Sequence, residues 1–223
     1  MAAVRLLLMS AVGAAFVLAQ APSASVIPLW PASSIEMHPA PAEKVNHMAV
    51  ILTTESRDAV EWLNRAGFSV FVLSRPEGFI GDPAALIDIQ RAIRMVRVNA
   101  RFFHAADWKI DPRRIGVMGF GFGEPAASAA IYFHPVEGNA QLAIDQQSDR
   151  PDFAVVDSAG WDAVAAAKAS RNVPPAFLAE DGDGETADGW HTRFVEWITA
   201  LAKRTHCGFL VEGGVGGEED LCH

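Results

Sequence analysis

Apolar positions fall along this chain in two alternating kinds of block: short unbroken runs, and longer stretches spaced three and four apart. His47 to Leu52 (HMAVIL) is a run of the first kind and fits a buried strand. Asp58 to Ala66 follows as a helix, with Val60 and Leu63 on one side and Gly67 as its stop. Ser69 to Leu73 (SVFVL) is a second β-rich run. Asp82-Pro83 offers an N-cap and a proline at the first helical position. The long helix it opens places Leu86, Ile89, Ile93, Val96, Ala100 and Phe103 on one amphipathic face. Asp111-Pro112 reads as a turn, and Arg114 to Met118 (RIGVM) as the third strand. Gly119 to Gly123 comes next, then an alanine-rich helix from about Pro125 to Phe133. Phe153 to Val156 and Ala176 to Ala179 predict the fourth and fifth strands, with a helix over Trp161 to Ala169 between them. Trp190, Phe194, Trp197 and Leu201 form the buried stripe of a last helix, and Phe209 to Val211 predicts a short sixth strand.

Strand and helix thus alternate with short connections. The strands are continuous apolar runs, as expected where both faces of a sheet are covered. The pattern predicts an α/β fold: a doubly wound, mostly parallel sheet with helices on both faces. No internal repeat and no second domain is evident.

The first residues read differently. Arg5 gives a positive start, Leu6 to Leu18 is almost unbroken apolar chain, and small residues follow, with Ala21-Pro22-Ser23 and Ser23-Ala24-Ser25 as cleavage sites. The run falls short of the roughly 20 residues of a membrane span and fits a secretory leader. The expected division is a signal peptide over 1–25, an extended proline-rich segment over 26–44, and the α/β domain over 45–223. The expected location is secreted or periplasmic, with no stable membrane span. Proline density in the second segment argues for extended chain rather than helix or central strand.

Composition narrows the choice of partner. Half of the 223 residues are hydrophobic and 20% are charged, the balance of a core-forming protein. The net charge of −9 disfavours a nucleic-acid partner, which calls for a basic face. Arg91, Arg94, Arg97 and Arg101 do cluster at near-helical spacing, and they read as a solvated helix face. Cys207 and Cys222 are the two cysteines; a disulfide or free thiols fit them better than a metal site, because His206-Cys207 and Cys222-His223 lack zinc-ligand spacing. No metal or other cofactor is expected.

Several stretches together resemble one family. They are Ile27-Pro28-Leu29-Trp30-Pro31, the helix Asp88 to Arg94 with Val96-Arg97, Asp111 to Phe120 (DPRRIGVMGF), Arg150 to Ala154, and Pro174 to Leu178. The chain is similar there to secreted acetyl-xylan-esterase-like members of the α/β-hydrolase superfamily. The resemblance runs from about residue 27 to about 217. It implies ester hydrolysis by a Ser-Asp-His triad, with the serine on a strained strand-to-helix turn, G-x-S-x-G.

The matching positions depart from that pattern. The turn is Gly119-Phe120-Gly121-Phe122-Gly123, so Gly121 stands at the nucleophile position, and Glu124 stands where the family usually has glycine. The acid position falls on Asp183, which also fits a plain turn residue in an Asp/Gly loop. The histidine position falls on Val215 in Gly213-Gly214-Val215-Gly216. Thr53-Thr54-Glu55-Ser56 replaces the family's glycine-rich oxyanion loop, which leaves the Phe122 N–H as one oxyanion donor. The stretch after Phe133 is short for the family, and its final helix has no counterpart here.

Two of three triad members are therefore chemically absent. The expected protein is a catalytically inactive relative that keeps a cleft for a saccharide or acylated saccharide. The alternative is an active carboxylester hydrolase with a relocated nucleophile. Ser56, Ser74 and Ser158 near strand ends, Ser128 within the turn's helix, and His191 and His223 are the residues open to that role. His38, His47, His104, His134 and His206 read as surface or structural residues. A dinucleotide site at Gly119-x-Gly121-x-Gly123 is disfavoured, since Glu124 would face a pyrophosphate. Asp181 to Glu185 resembles a calcium loop only superficially, with its glycines misplaced.

Overall fold

The computed structural model describes residues 25–28, 33–53, 56–74, 83–105, 108–119, 124–134, 142–168, 172–179 and 189–211. The strands are β1 (Ser25–Pro28), β2 (Ser34–His38), β3 (Ala49–Leu52), β4 (Ser69–Ser74), β5 (Ile115–Met118), β6 (Phe153–Val156) and β7 (Ala176–Leu178). The helices are α1 (Arg57–Arg65), α2 (Pro83–Ala105), α3 (Glu124–Ile131), α4 (Ser158–Lys168) and α5 (Gly189–Val211). The sheet runs in the order β1-β2-β4-β3-β5-β6-β7. β4, β3, β5, β6 and β7 pair in parallel, while β2 is antiparallel to both β1 and β4.

The β3, β5 and β6 runs are buried at every residue, because helices cover both faces. Alternate residues serve opposite layers. Ala49 and Ile51 pack with α2, α3 and α4 through Ile89, Ile93, Val96, Ala129 and Val164. Val50 and Leu52 pack with α1 and α5 through Trp62, Leu63, Phe194 and Ile198. Phe194 is fully buried, with its ring 5.6 Å from Phe68 and 5.5 Å from Phe177. Truncating such a residue costs about 3–5 kcal/mol.

Local chemistry sets the ends of α1. The Ser56 side chain accepts the Ala59 N–H at 3.2 Å, Asp58 lies in the first turn, and Arg65 lies in the last. Gly67 ends the helix with φ +92°, its N–H on the Asn64 carbonyl and the Phe68 N–H on the Leu63 carbonyl. That is the paired bonding of a Schellman stop, and a Cβ at Gly67 would meet the Lys44 carbonyl oxygen at 2.0 Å.

Three sequence expectations change. The proline-rich segment over 26–44 carries β1 and β2, the antiparallel edge of the sheet. Pro28 is tolerated there because β1 is the outermost strand. Phe209 to Val211 is not a sixth strand but the last turn of α5. A three-residue apolar run does not distinguish the two structures, and here the helix simply continues.

Two arginines of the α2 stripe, Arg94 and Arg97, do not lie on a solvated face, and the side chain of Arg101 is outside the described residues. Arg94 pairs with Asp149 at 3.1 Å, and Arg97 pairs with Asp152 at 2.8 Å. Arg97 also donates to the carbonyls of Pro112, Ser148 and Arg150. Both side chains clamp the segment before β6 onto α2. Among the described residues, no helix is long and apolar enough to cross a membrane.

Candidate functional site

Strand order places a crevice. β3 and β5 are parallel neighbours, paired from Ala49↔Ile115 to Leu52↔Met118. From β3 the chain passes through α1 to β4, on one side; from β5 it passes through α3 to β6, on the other. Connections that leave adjacent strands in opposite directions open a crevice at their carboxyl ends, where ligand sites of open α/β sheets form.

The rim of that crevice is a regular ladder of main-chain bonds. Thr53, next after β3, donates its N–H to the Met118 carbonyl at 3.0 Å and its hydroxyl to the same oxygen at 3.3 Å. The Gly119 N–H reaches the Val155 carbonyl at 3.2 Å, and the Ala179 N–H reaches Val156 at 2.8 Å. Asp157, next after β6, accepts the Gly160 N–H at 3.0 Å and so caps α4. Sequence reasoning named Thr53 only as the first residue of the segment that replaces the oxyanion loop. Its signal was a hydroxyl directly after an apolar strand.

The expected site residues Gly121, Phe122, Asp183 and Val215 all lie outside the described residues. Gly121 and Phe122 lie in 120–123, outside the described residues, in the joint between Met118 of β5 and Glu124 of α3. Asp183 also lies outside them, between Ala179 and the start of α5 at Gly189. β5 and β7 are separated by β6 alone, about 10 Å of sheet. Val215, Cys222 and His223 follow α5, likewise outside the described residues. Cys207 is within α5, but its side chain is outside them.

Of the residues open to relocated chemistry, Ser56 and His191 have other occupations. Ser56 caps α1, Ser128 is half-buried within α3, and Ser158 opens α4 as an exposed residue. Ser74 ends β4 opposite Ser34. His191 stacks on Trp62, with ring centres 4.2 Å apart. His38 lies 3.2 Å from Glu36, and His47 bonds the Lys109 carbonyl at 2.8 Å. His104 and His206 have side chains outside the described residues. Among the described residues, no three His, Cys, Asp or Glu side chains cluster to hold a metal.

A second polar cluster lies at the opposite edge, where the strands begin. Asp149 is 1% exposed and accepts the His134 N–H at 2.7 Å, the His134 ring at 3.1 Å and Arg94 at 3.1 Å. Asp152 accepts Arg97 and the Ile115 N–H on one oxygen. Burial pushes the Asp152 carboxyl above the ordinary carboxylate range, against the opposing pull of Arg97. Burial likewise lowers the pKa of Arg150, which Asp152 partly offsets. The Arg-Pro-Asp of 150–152 and the arginines of α2 carried this cluster in the sequence, but their pairing needed the fold.

No family model matches the chain. Over 94 residues, 41% of its length, it is 31% identical to an acetylxylan esterase of Xylanibacter ruminicola. It spans only 18% of that relative. Its fold is similar to that of an acetyl ester-xyloside bifunctional hydrolase from Caldicellulosiruptor lactoaceticus, with TM-score 0.64 at 20% identity over 82% of this chain and 98% of that one. It is also similar to a propionate-bound esterase of Thermogutta terrifontis, with TM-score 0.51 at 14% identity over 88% and 98%. The chain therefore has the α/β-hydrolase type of fold that these esterases share, with a 94-residue stretch related in sequence to an acetylxylan esterase.

Proposed function

We propose that this protein is an exported pseudo-hydrolase of esterase descent, which keeps the fold and a ligand cleft but has lost ester cleavage. The observation that carries this reading is the joint after β5. It begins at Gly119, directly after β5, and its residues Gly119-Phe120-Gly121-Phe122-Gly123 offer no nucleophilic side chain. Glycine at 121 has no attacking atom, and valine at 215 accepts no proton. Asp183 alone, even as the surviving acid, orients nothing. Phe122 keeps its N–H as an oxyanion donor with no oxyanion to receive. The apolar leader over Leu6 to Leu18 supports export, to a secreted or periplasmic location.

The name of the acetylxylan esterase relative supports a ligand class, a saccharide or acylated saccharide, for the carboxyl ends of β3 and β5. Titration with plain and acetylated xylo-oligosaccharides, followed by tryptophan fluorescence, tests that class.

Restoring the nucleophile tests the loss. Gly121→Ser alone is expected to give little turnover of acetyl esters, because no base stands at 215. Gly121→Ser with Val215→His is expected to exceed it. Strong turnover from the single change would show a base already in place and would favour the active reading.

A further inference from the structure

The edge of the sheet opposite the crevice holds a cavity of about 220 Å³, lined by Met48, Phe153, Pro175 and Ile198 on its apolar side. Arg113, Arg114 and Arg150 supply its cationic side, and Asp152 its one carboxylate. It lies at the amino ends of β3, β5 and β6, a strand's length of about 13 Å from their carboxyl ends.

The charges here are unequally matched. Asp152 is already engaged by Arg97 at 2.8 Å and by the Ile115 N–H at 2.9 Å. Arg114 is engaged by Asp111 at 3.4 Å. Arg150 differs. Its Nε donates to the Asn172 carbonyl at 3.3 Å, and its guanidinium lies 5.4 Å from the Phe133 ring centre. Among the described residues, no carboxylate comes within ion-pair distance of it, Asp152 attracting it only from further off, and its two terminal amino groups have no hydrogen-bond acceptor. A half-buried guanidinium with two open donors presents the fork that a carboxylate takes in a bidentate pair. The apolar lining beside it suits a hydrocarbon chain. A dry cavity of roughly 150 Å³ holds a benzene molecule, so this one has room for a chain of about six carbons.

We propose that this cavity binds an aliphatic monocarboxylate, with its head on Arg150 and its chain along Met48, Phe153 and Ile198. The site is independent of the cleft at the other edge and does not rest on the loss of ester cleavage.

The test is a calorimetric and NMR titration of the full chain with hexanoate, and in parallel with hexan-1-ol, at neutral pH. Saturable hexanoate binding is expected, with methyl shifts at Met48 and Ile198, and at least about tenfold weaker binding of the alcohol. Arg150→Gln should weaken hexanoate by about tenfold. Ala202→Leu adds bulk to the cavity lining from α5 without touching an arginine, and should abolish binding even if the arginine variant does not fold. Equal binding of acid and alcohol, unchanged binding in Ala202→Leu, or no saturation by about 10 mM hexanoate would overturn the proposal.

Discussion

Thr53 and Met118 are bonded twice: one carbonyl oxygen, on the last residue of β5, accepts both the N–H and the hydroxyl of the residue that follows β3. The pair fixes the two strand ends whose chains then part in opposite directions. It thereby sets the separation of the crevice walls at the carboxyl ends of β3 and β5.

Removing the hydroxyl leaves the main-chain bond in place. Thr53→Val is therefore expected to cost only about 0.5–1.5 kcal/mol in urea unfolding. A loss above about 3 kcal/mol would mean that the hydroxyl, and not the N–H, holds the two ends together.

Arg97 is the centre of the clamp between α2 and the segment before β6. Its side chain is 10% exposed and serves four different residues. Arg97→Met strands the Asp152 carboxylate, which is 28% exposed and so partly relieved by water. The expected cost is about 2–4 kcal/mol, just under that of breaking a fully buried pair. Denaturant titration reads it, and a change under about 0.5 kcal/mol would mean that the clamp carries no weight.

Asp152 also gives a pH signature. Burial raises its folded-state pKa above the ordinary value of 3.8, more than Arg97 lowers it. The folded protein then binds this proton more readily than the unfolded chain does. The stability it contributes is present below the unfolded pKa and is lost as pH rises through the folded one. Compared with Asp152→Asn, the natural chain should gain relative stability as pH falls from neutrality toward 3.8. The opposite slope would mean that the attraction of Arg97 outweighs the burial.

Gly116 lies in β5 under the ring of Phe153, and a Cβ there would meet that ring at 2.1 Å. Gly116→Ala is expected to cost about 1–3 kcal/mol through overpacking, and Phe153→Leu in the same chain should recover part of it. If the single change is neutral by thermal unfolding, the ring is free to move aside.

The parallel centre of the fold was legible because strands covered on both faces carry unbroken apolar runs, as in Val50-Ile51-Leu52 and Phe153 to Val156. β2 was not, although its signal was present. Ser34, Glu36 and His38 alternate with the buried Ile35 and Met37, but the surrounding prolines drew the reading toward plain extended chain. Helical spacing revealed that Arg94 and Arg97 share a face, yet their carboxylate partners lie about fifty residues on, and only the fold brings them together. At the candidate site, the resemblance singled out Gly121, Asp183 and Val215. The sheet then supplied what resemblance alone lacked, a physical reason for a cleft where β3 and β5 end.

Loss of ester cleavage would show itself in a turnover assay of the purified natural protein. Acetyl-ester and acetylated-xylan substrates would be incubated with it beside a serine-directed phosphonate. No turnover and no labelled serine are expected. Turnover together with a phosphonylated serine would contradict that loss and would identify the relocated nucleophile.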